Sequence, residues 1–365
     1  MNIDVIRKMD RIHSYPAKFT IDLAMQFVEK LTKPGDLVYD PFLGSGTTLL
    51  AAKLLGRNGY GTDINHIAIL ISKFKLLDVN KSNFKHLTSF IEDFKTSYKE
   101  EVEKIKPYNY PSINHWFCDD SIKILTLIRN KIFLLKNEKE RTFCELIMSS
   151  IVNLASNQES DTRYAAVHKP KLSIDYVAEA FIKKFESTLE LYKDFNKELS
   201  FDVFETPELL DSKECISLFG KNSIDLILTS PPYPNTYDYY LYHKHRMNWL
   251  GYDVNFSKNN EIGSRREFSS LKLPKEKFNE DMFSILSACN KGLKNKGYAV
   301  LVMGDGRIQG KVYEAKSNME TLCKKLKWKL VDYSYSLLDE TSRSFRQSYR
   351  TKGKKEHVLV FQKGA

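Results

Sequence analysis

Short, nearly continuous apolar runs punctuate the chain, each bounded by glycine, proline or aspartate. Between them lie longer segments whose apolar positions recur every three to four residues. The first kind reads as buried strands and the second as amphipathic helices. Leu37-Val38-Tyr39-Asp40, Gly59-Tyr60-Gly61-Thr62-Asp63, Ile224-Asp225-Leu226-Ile227-Leu228 and Tyr298-Ala299-Val300-Leu301-Val302-Met303 are the clearest strands. A terminal strand pair is expected at 328–338 and 356–362. Near the N-terminus a helix carries Leu23, Phe27, Val28 and Leu31 on one face. Further helices are predicted over 66–78, 83–105, 119–136, 141–157 and 174–195, then over about 236–250, 275–294 and 313–326.

This order divides the chain. Strands alternating with helices build a layered α/β sheet. The alternation begins before residue 65, stops, and resumes after 205. We therefore expect a core of 1–65 and 205–365, interrupted by a helical insertion at 66–204 that could serve target recognition. Residues 66–205 carry 21 basic and 21 acidic residues.

Two segments carry chemistry. In Asp40-Pro41-Phe42-Leu43-Gly44-Ser45-Gly46-Thr47-Thr48 a strand ends in a glycine turn and a helix begins. Gly44 and Gly46 would let the backbone approach a ligand, and Thr47 or Thr48 could cap the helix. Asp63 follows about twenty residues later, where a nucleotide-binding sheet presents a carboxylate to ribose hydroxyls. The second segment is Thr229-Ser230-Pro231-Pro232-Tyr233, after an apolar strand. Two prolines stiffen the loop and remove two N–H donors. Ser230 and the Pro231 carbonyl can accept hydrogen bonds from one planar amino group, and Tyr233 offers a ring on which a base can stack.

The pentapeptide resembles the catalytic motif of DNA amino-methyltransferases, and its Ser-Pro-Pro-Tyr form is similar to the cytosine-N4 branch. Asp-Pro-Phe-Leu-Gly-Ser-Gly-Thr-Thr resembles the S-adenosylmethionine motif of the same enzymes. His13-Ser14-Tyr15-Pro16-Ala17-Lys18-Phe19 looks like their segment upstream of the cofactor strand. The resemblance covers about 1–65 and 205–365. It implies a Rossmann-like, seven-strand methyltransferase sheet, here with the cofactor half before the catalytic half. It implies S-adenosylmethionine as cofactor, held by Tyr15, Lys18, Asp40, Pro41, Phe42, Gly44, Gly46, Thr47, Asp63 and Asp211. Catalysis would fall to Ser230, Pro231, Pro232 and Tyr233. Asp211 would approach the adenine, and it equally reads as a helix N-cap.

An exocyclic amine is a weak nucleophile because its lone pair is delocalised into the ring. Acceptors around the NH₂ group favour a pyramidal nitrogen aimed at a methyl donor. The target base would have to leave the duplex to reach them. The resemblance therefore implies methylation of cytosine N4 in double-stranded DNA, within a restriction–modification or similar defence system. A cleaving partner would be a separate endonuclease chain. Adenine N6 is the alternative target. A catalytically silent DNA-binding module on the same fold is the alternative of another kind.

Composition agrees. The 365 residues carry a formal charge of +10, which suits a polyanionic partner. Arg343, Arg346 and Arg350 lie in 341–355, a stretch of six basic residues and no acidic one, interleaved with Phe345 and Tyr349. That pattern suits phosphate contact and stacking. Arg163 with Lys169, and Arg265 with Arg266, are weaker DNA-binding candidates. Cys118, Cys144, Cys215, Cys289 and Cys323 stand singly, which fits reduced thiols, a cytoplasmic setting and no zinc site. No signal peptide or membrane span is expected.

Overall fold

The computed structural model describes residues 1–199, 203–337 and 354–364. It separates into two compact units. A sheet unit comprises Tyr15–Ser72, Phe201–Tyr239 and Phe256–Ala365, and a helical unit comprises Met1–Ser14, Lys73–Ser200 and Tyr240–Asn255.

The strands are β1 (Leu37–Asp40), β2 (Asn58–Asp63), β3 (Gln158–Ser160), β4 (Arg163–Ala166), β5 (Glu205–Leu209), β6 (Ile224–Thr229), β7 (Leu293–Gly304), β8 (Gly306–Ile308), β9 (Lys311–Tyr313), β10 (Trp328–Leu337) and β11 (Lys355–Lys363). Seven of them form one sheet in the order β10-β11-β7-β6-β1-β2-β5. From β7 through β5 the neighbours pair in parallel. β11 is inserted antiparallel to both β7 and β10. This arrangement is the Rossmann-like seven-strand sheet expected from the sequence.

Both faces of its centre are buried, as a parallel sheet requires. Tyr39, Ile227, Ala299, Leu301 and Met303 share one cluster with the helices Lys275–Gly292 and Ala315–Lys325. Their neighbours Val38, Leu226, Leu228, Val300 and Val302 are equally buried but lie outside that cluster. Side chains alternate across a strand, so these residues point to the opposite face. There the helices Ile21–Leu31 and Thr47–Leu54 pack together and against β1, β2 and β6.

The helical unit is built from Ile3–Asp10, Lys81–Glu103, Asp119–Phe133, Glu138–Val152 and Ile174–Phe195. Its interior is aromatic, with Phe74, Phe94, Phe143, Phe181, Phe185 and Tyr192 fully enclosed. One charged pair is fully buried, and a second joins a buried arginine to a partly exposed aspartate. Lys75 donates to Asp10 at 2.9 Å, and the buried Arg246 donates to Asp161.

Several elements differ from the sequence expectation. The helical unit takes only Lys73–Ser200 of the expected insertion, and residues 1–14 and 240–255 besides. The insertion is not wholly helical, because β3 and β4 form a hairpin inside it. The helix expected over 141–157 stops at Val152, and the one expected from 236 starts at Tyr239. Asn235, with φ 58°, turns the chain before that start. The buried stripe of Ile21–Leu31 is Ile21, Ala24 and Val28, while Leu23, Phe27 and Leu31 are half-buried. β5 was not anticipated. Its sequence, Glu-Thr-Pro-Glu-Leu, has little strand character, and its pairing to β2 from Gly59↔Glu205 to Asp63↔Leu209 makes it a strand.

Gly46 heads the helix Thr47–Leu54 with φ 76°, and a Cβ there would sit 2.5 Å from Ser72 Oγ. Glycine is needed here for packing against Ser72. Gly46→Ala is expected to lower stability by about 1–3 kcal/mol through overpacking and left-handed backbone strain. Urea unfolding followed by circular dichroism measures it.

Candidate functional site

β1 and β6 are parallel neighbours, so the turn after Asp40 and the loop after Thr229 leave the sheet side by side. The chain builds outward from β1 to β2 and β5, then returns to β6. Sheets of this kind bind ligands where the strand order reverses. A cleft of about 870 Å³, its open mouth included, lies there.

Most of the residues singled out in the sequence line it. Tyr15, Lys18, Asp40, Pro41 and Phe42 do, as do Gly44, Thr47, Asp63 and Asp211. From the catalytic segment, Ser230 and Pro232 face the same cleft. Gly46 does not line it, since its open side is filled by Ser72. Asp211 also caps a short 3₁₀ turn, accepting from Lys213 N–H at 3.0 Å.

Asp40 organises the floor. Its carboxylate accepts from Phe42 N–H at 3.0 Å, from Thr48 Oγ1 at 2.7 Å and from Thr229 Oγ1. Thr48 also reaches the Leu228 carbonyl at 3.1 Å. Thr48 thus spans β1 and β6 and does not cap its helix, whose N-cap is Gly46. Burial pushes the Asp40 carboxyl up to about 6, against the three donors that hold it down.

Asp63 shapes the glycine turn. One oxygen accepts from Gly44 N–H and the other from Asn65 N–H, each at 2.8 Å. Burial raises this carboxyl to about 6 as well. Each oxygen keeps a lone pair for a further donor. Tyr15 stacks on Tyr239 with ring centroids 5.7 Å apart, forming an aromatic wall. Burial, and next the Asp63 carboxylate, drive the Tyr15 phenol well above its usual range, so it stays neutral.

Sequence reasoning missed part of the lining. Glu261 accepts from Tyr239 N–H at 2.6 Å, and Ile262 and Ile285 add apolar surface. They come from segments with no recognisable motif. Asn65 is more telling. Its Oδ1 accepts from Ile67 N–H at 2.9 Å, while its buried Nδ2 lacks a hydrogen-bond partner among the described residues. A buried amide donor left unpaired costs about 1–3 kcal/mol, which a ligand acceptor in the cleft would recover. Carboxylates, an aromatic wall and this donor together fit a nucleoside bearing a charged tail.

Other expected residues are placed differently. His13 belongs to the helical unit, buried against Ser149 at 2.9 Å, and burial lowers its imidazole to about 3. Pro231 and Tyr233 are buried outside the cleft lining. The Tyr233 ring is only 9 % exposed, its edge packs on Gly304, and its hydroxyl donates to Glu356. In this geometry it offers no open face to a base. Lys169 turns inward and donates to the Ser156 carbonyl at 2.9 Å and to the Gln158 carbonyl. It satisfies backbone acceptors and is not extended toward a phosphate. Arg163 is exposed but pairs with Glu159 at 2.7 Å. Arg265 and Arg266 are half-buried beside Asp238. Arg343, Arg346 and Arg350 lie outside the described residues. No helix among the described residues is long and apolar enough to cross a membrane.

Comparison with known proteins adds to this geometry. Residues 3–74 match the family model described as DNA methylase. The chain is 30% identical over 248 residues to the type II methyltransferase M.MvaI of Kocuria varians, covering 64% of this chain and 55% of that protein. It is 23% identical over 395 residues to M.MjaII of Methanocaldococcus jannaschii, covering 84% and 74%. With M.BsoBI of Geobacillus stearothermophilus it shares 27% over 297 residues, covering 67% and 54%. The match thus spans about half the length of two of these relatives. The fold is a Rossmann-like α/β sheet with its cleft at the point where the strand order reverses. In sequence the chain is similar to these type II methyltransferases.

Asp40 generates a prediction. Its carboxyl holds a proton up to about pH 6 when folded and only to 3.8 as a free group. Between those values the folded state binds more protons, so this group's contribution to stability falls as pH rises from about 4 to about 6. Asp40→Asn is expected to flatten that part of the profile in urea unfolding measured across the window.

Proposed function

We propose that the chain transfers a methyl group from S-adenosylmethionine to the exocyclic N4 of a cytosine flipped out of double-stranded DNA. The observation that carries this reading is the shared cleft. Asp63 and the Gly44 turn line one part of it, and Ser230 and Pro232 line another. Cofactor and acceptor would thus meet at one strand edge. When bound, the cofactor supplies an electrophilic methyl on a sulfonium centre.

The chain's own residues do the rest. Asp63 accepts from ribose hydroxyls, and the Tyr15–Tyr239 wall excludes water. Lys18 stands at the cleft for the methionine carboxylate. Ser230 Oγ accepts from the target amine and holds its lone pair toward the methyl group. The choice of cytosine follows the Ser-Pro-Pro-Tyr spelling. Cytosine N4 and adenine N6 present the same NH₂ group, so the cleft walls must discriminate between the rings. A role in a restriction–modification or defence system, with a separate endonuclease, is the setting we assign, and the similarity to type II methyltransferases supports it. The basic stretch 341–355 links β10 to β11, and we assign it contact with DNA phosphates.

Two measurements test this. Plasmid and genomic DNA incubated with the chain and labelled cofactor should yield N4-methylcytosine after digestion to nucleosides. Label in N6-methyladenine would replace the base assignment, and label in neither would favour the silent module. Asp63→Ala should weaken binding of S-adenosylhomocysteine by about 1–3 kcal/mol in titration calorimetry. Unchanged affinity would remove Asp63 from the cofactor site.

A further inference from the structure

Beyond β7 the chain turns at Asp305 into the β8–β9 hairpin, a two-stranded sheet of its own. Gln309 and Gly310 make its turn, with φ 48° and 78°. Positive φ at both central residues gives the tight turn whose twist matches its strands. The hairpin is anchored on several sides. Gly306 packs on Pro234, from which a Cβ would stand 2.6 Å, and Asn235 Nδ2 donates to the Arg307 carbonyl at 2.7 Å. Gln309 Nε2 donates to the Lys272 and Leu273 carbonyls at 2.9 and 3.1 Å. Ile308 and Tyr313 are buried, and the Tyr313 hydroxyl donates to Asn279 at 2.7 Å. Asp305, at the foot, donates from its backbone to the Lys355 carbonyl at 2.9 Å. The ribbon therefore touches both the loop after Tyr233 and the last residue of the basic stretch 341–355.

Its outer side is basic. Arg307, Lys311 and Lys272 are exposed, and none of them makes an ion pair among the described residues. Arg307 Nε donates to the Gly310 carbonyl at 2.9 Å. That bond fixes the guanidinium across the turn and leaves its two terminal nitrogens without a partner among the described residues. The acids at the foot are already engaged. Asp305 accepts from Ala315 N–H at 2.9 Å and meets His357 Nε2 at 3.0 Å, and Glu314 accepts from Ser317 Oγ at 3.2 Å. Val312, 52 % exposed, stands opposite Arg307 in the ladder. Exposed cations often do no more than solvate a surface. Here three of them surround one rigid turn, beside bare apolar surface and next to the segment that carries Ser230. Cations for phosphates and an apolar patch for deoxyribose match a nucleic-acid backbone.

We propose that the β8–β9 hairpin is a DNA-contact ribbon in which Arg307, Lys311 and Lys272 take phosphates flanking the flipped base. This rests on the DNA-methylation reading above. The Arg307 guanidinium can meet two phosphate oxygens with parallel hydrogen bonds, while each lysine acts as a point charge. Backbone contacts carry no sequence information, but they fix the register of the duplex on the protein. The bonds to Pro234 and Asn235 pass that register to the loop that holds Ser230. The ribbon is ordered before DNA arrives, so binding spends little free energy on arranging it.

Fluorescence anisotropy of a labelled random-sequence duplex, titrated with the whole chain at several salt concentrations, tests the ribbon. The pair Arg307→Ala and Lys311→Ala should weaken binding roughly tenfold at low salt and flatten the log–log salt slope by about 0.9 per lost contact, about 1.8 in all. Affinity for S-adenosylhomocysteine should not change. Arg307→Lys with Lys311→Arg should keep the wild-type slope. Lys33→Ala removes an exposed charge before β1, at the opposite end of the parallel strands, and should also keep it. If the alanine pair misfolds and loses S-adenosylhomocysteine, Lys311→Glu, which spares the Arg307–Gly310 bond, should still flatten the slope. An unchanged slope in the folded variants, or an equal loss in Lys33→Ala, would overturn the ribbon alone. Tighter binding of single-stranded RNA than of the duplex, lost in the alanine pair, would overturn its assignment to DNA. A wild-type chain that binds S-adenosylhomocysteine but no duplex at any salt would overturn the parent reading and the ribbon together.

Discussion

The cleft depends on one buried carboxylate. Asp40 ends β1, and its oxygens collect Thr48 from the following helix, Thr229 from the end of β6 and the amide of Phe42. Two strands distant in sequence, 37–40 and 224–229, are thereby pinned at one level. Without that pin the glycine turn and the Ser-Pro-Pro-Tyr loop would each hang from its own strand. An acidic group costs free energy to bury, and three donors offset it only in part, which leaves the carboxyl at about 6. The expense sits where a ligand-binding sheet must be most rigid.

A second layer of hydroxyls secures the same edge. Tyr39 and Ser212 meet Thr62 at 2.7 and 2.8 Å, and Ser212 donates to the Pro41 carbonyl. The cleft floor is thus tied to β2 and to the 3₁₀ turn behind Asp211. The loop after Tyr233 is held as firmly. Asn235 donates from its backbone to Gly263 at 2.8 Å and from its side chain to the Arg307 carbonyl at 2.7 Å. Groups that must face a reacting nitrogen gain from such fixed supports, because no ordering cost is left for the moment of reaction.

The helical unit uses different means. Its interior is a run of edge-on aromatic contacts, such as Phe74 against Tyr192 at 5.2 Å and Phe94 against Phe181 at 5.2 Å. Three of its basic side chains are spent internally. Lys75, Lys169 and Arg246 all donate to acceptors within the unit. Basic residues there are therefore poor guides to a nucleic-acid surface, and the net charge of +10 says nothing by itself about where such a surface lies.

Local sequence determined the strand–helix alternation, most helix ranges, and the two motif segments that end β1 and β6. It could do so because buried strands, glycine turns and proline loops are encoded by adjacent residues. It also pointed to 11 of the 23 residues that line the cleft, since Asp40, Asp63 and Ser230 each sit at a strand end whose place follows from the sheet order. Only the tertiary structure decided the rest. β5 became a strand through its partner β2, Gly46 is set by Ser72, and residues 1–14 and 240–255 joined the helical unit through packing no periodicity reveals. Tyr233 shows the difference best. Its motif suggests a stacking face, but the bare backbone of Gly304 and the carboxylate of Glu356 draw it inward. Those partners lie 71 and 123 residues away, and a contact made across that distance leaves no pattern in the neighbouring sequence.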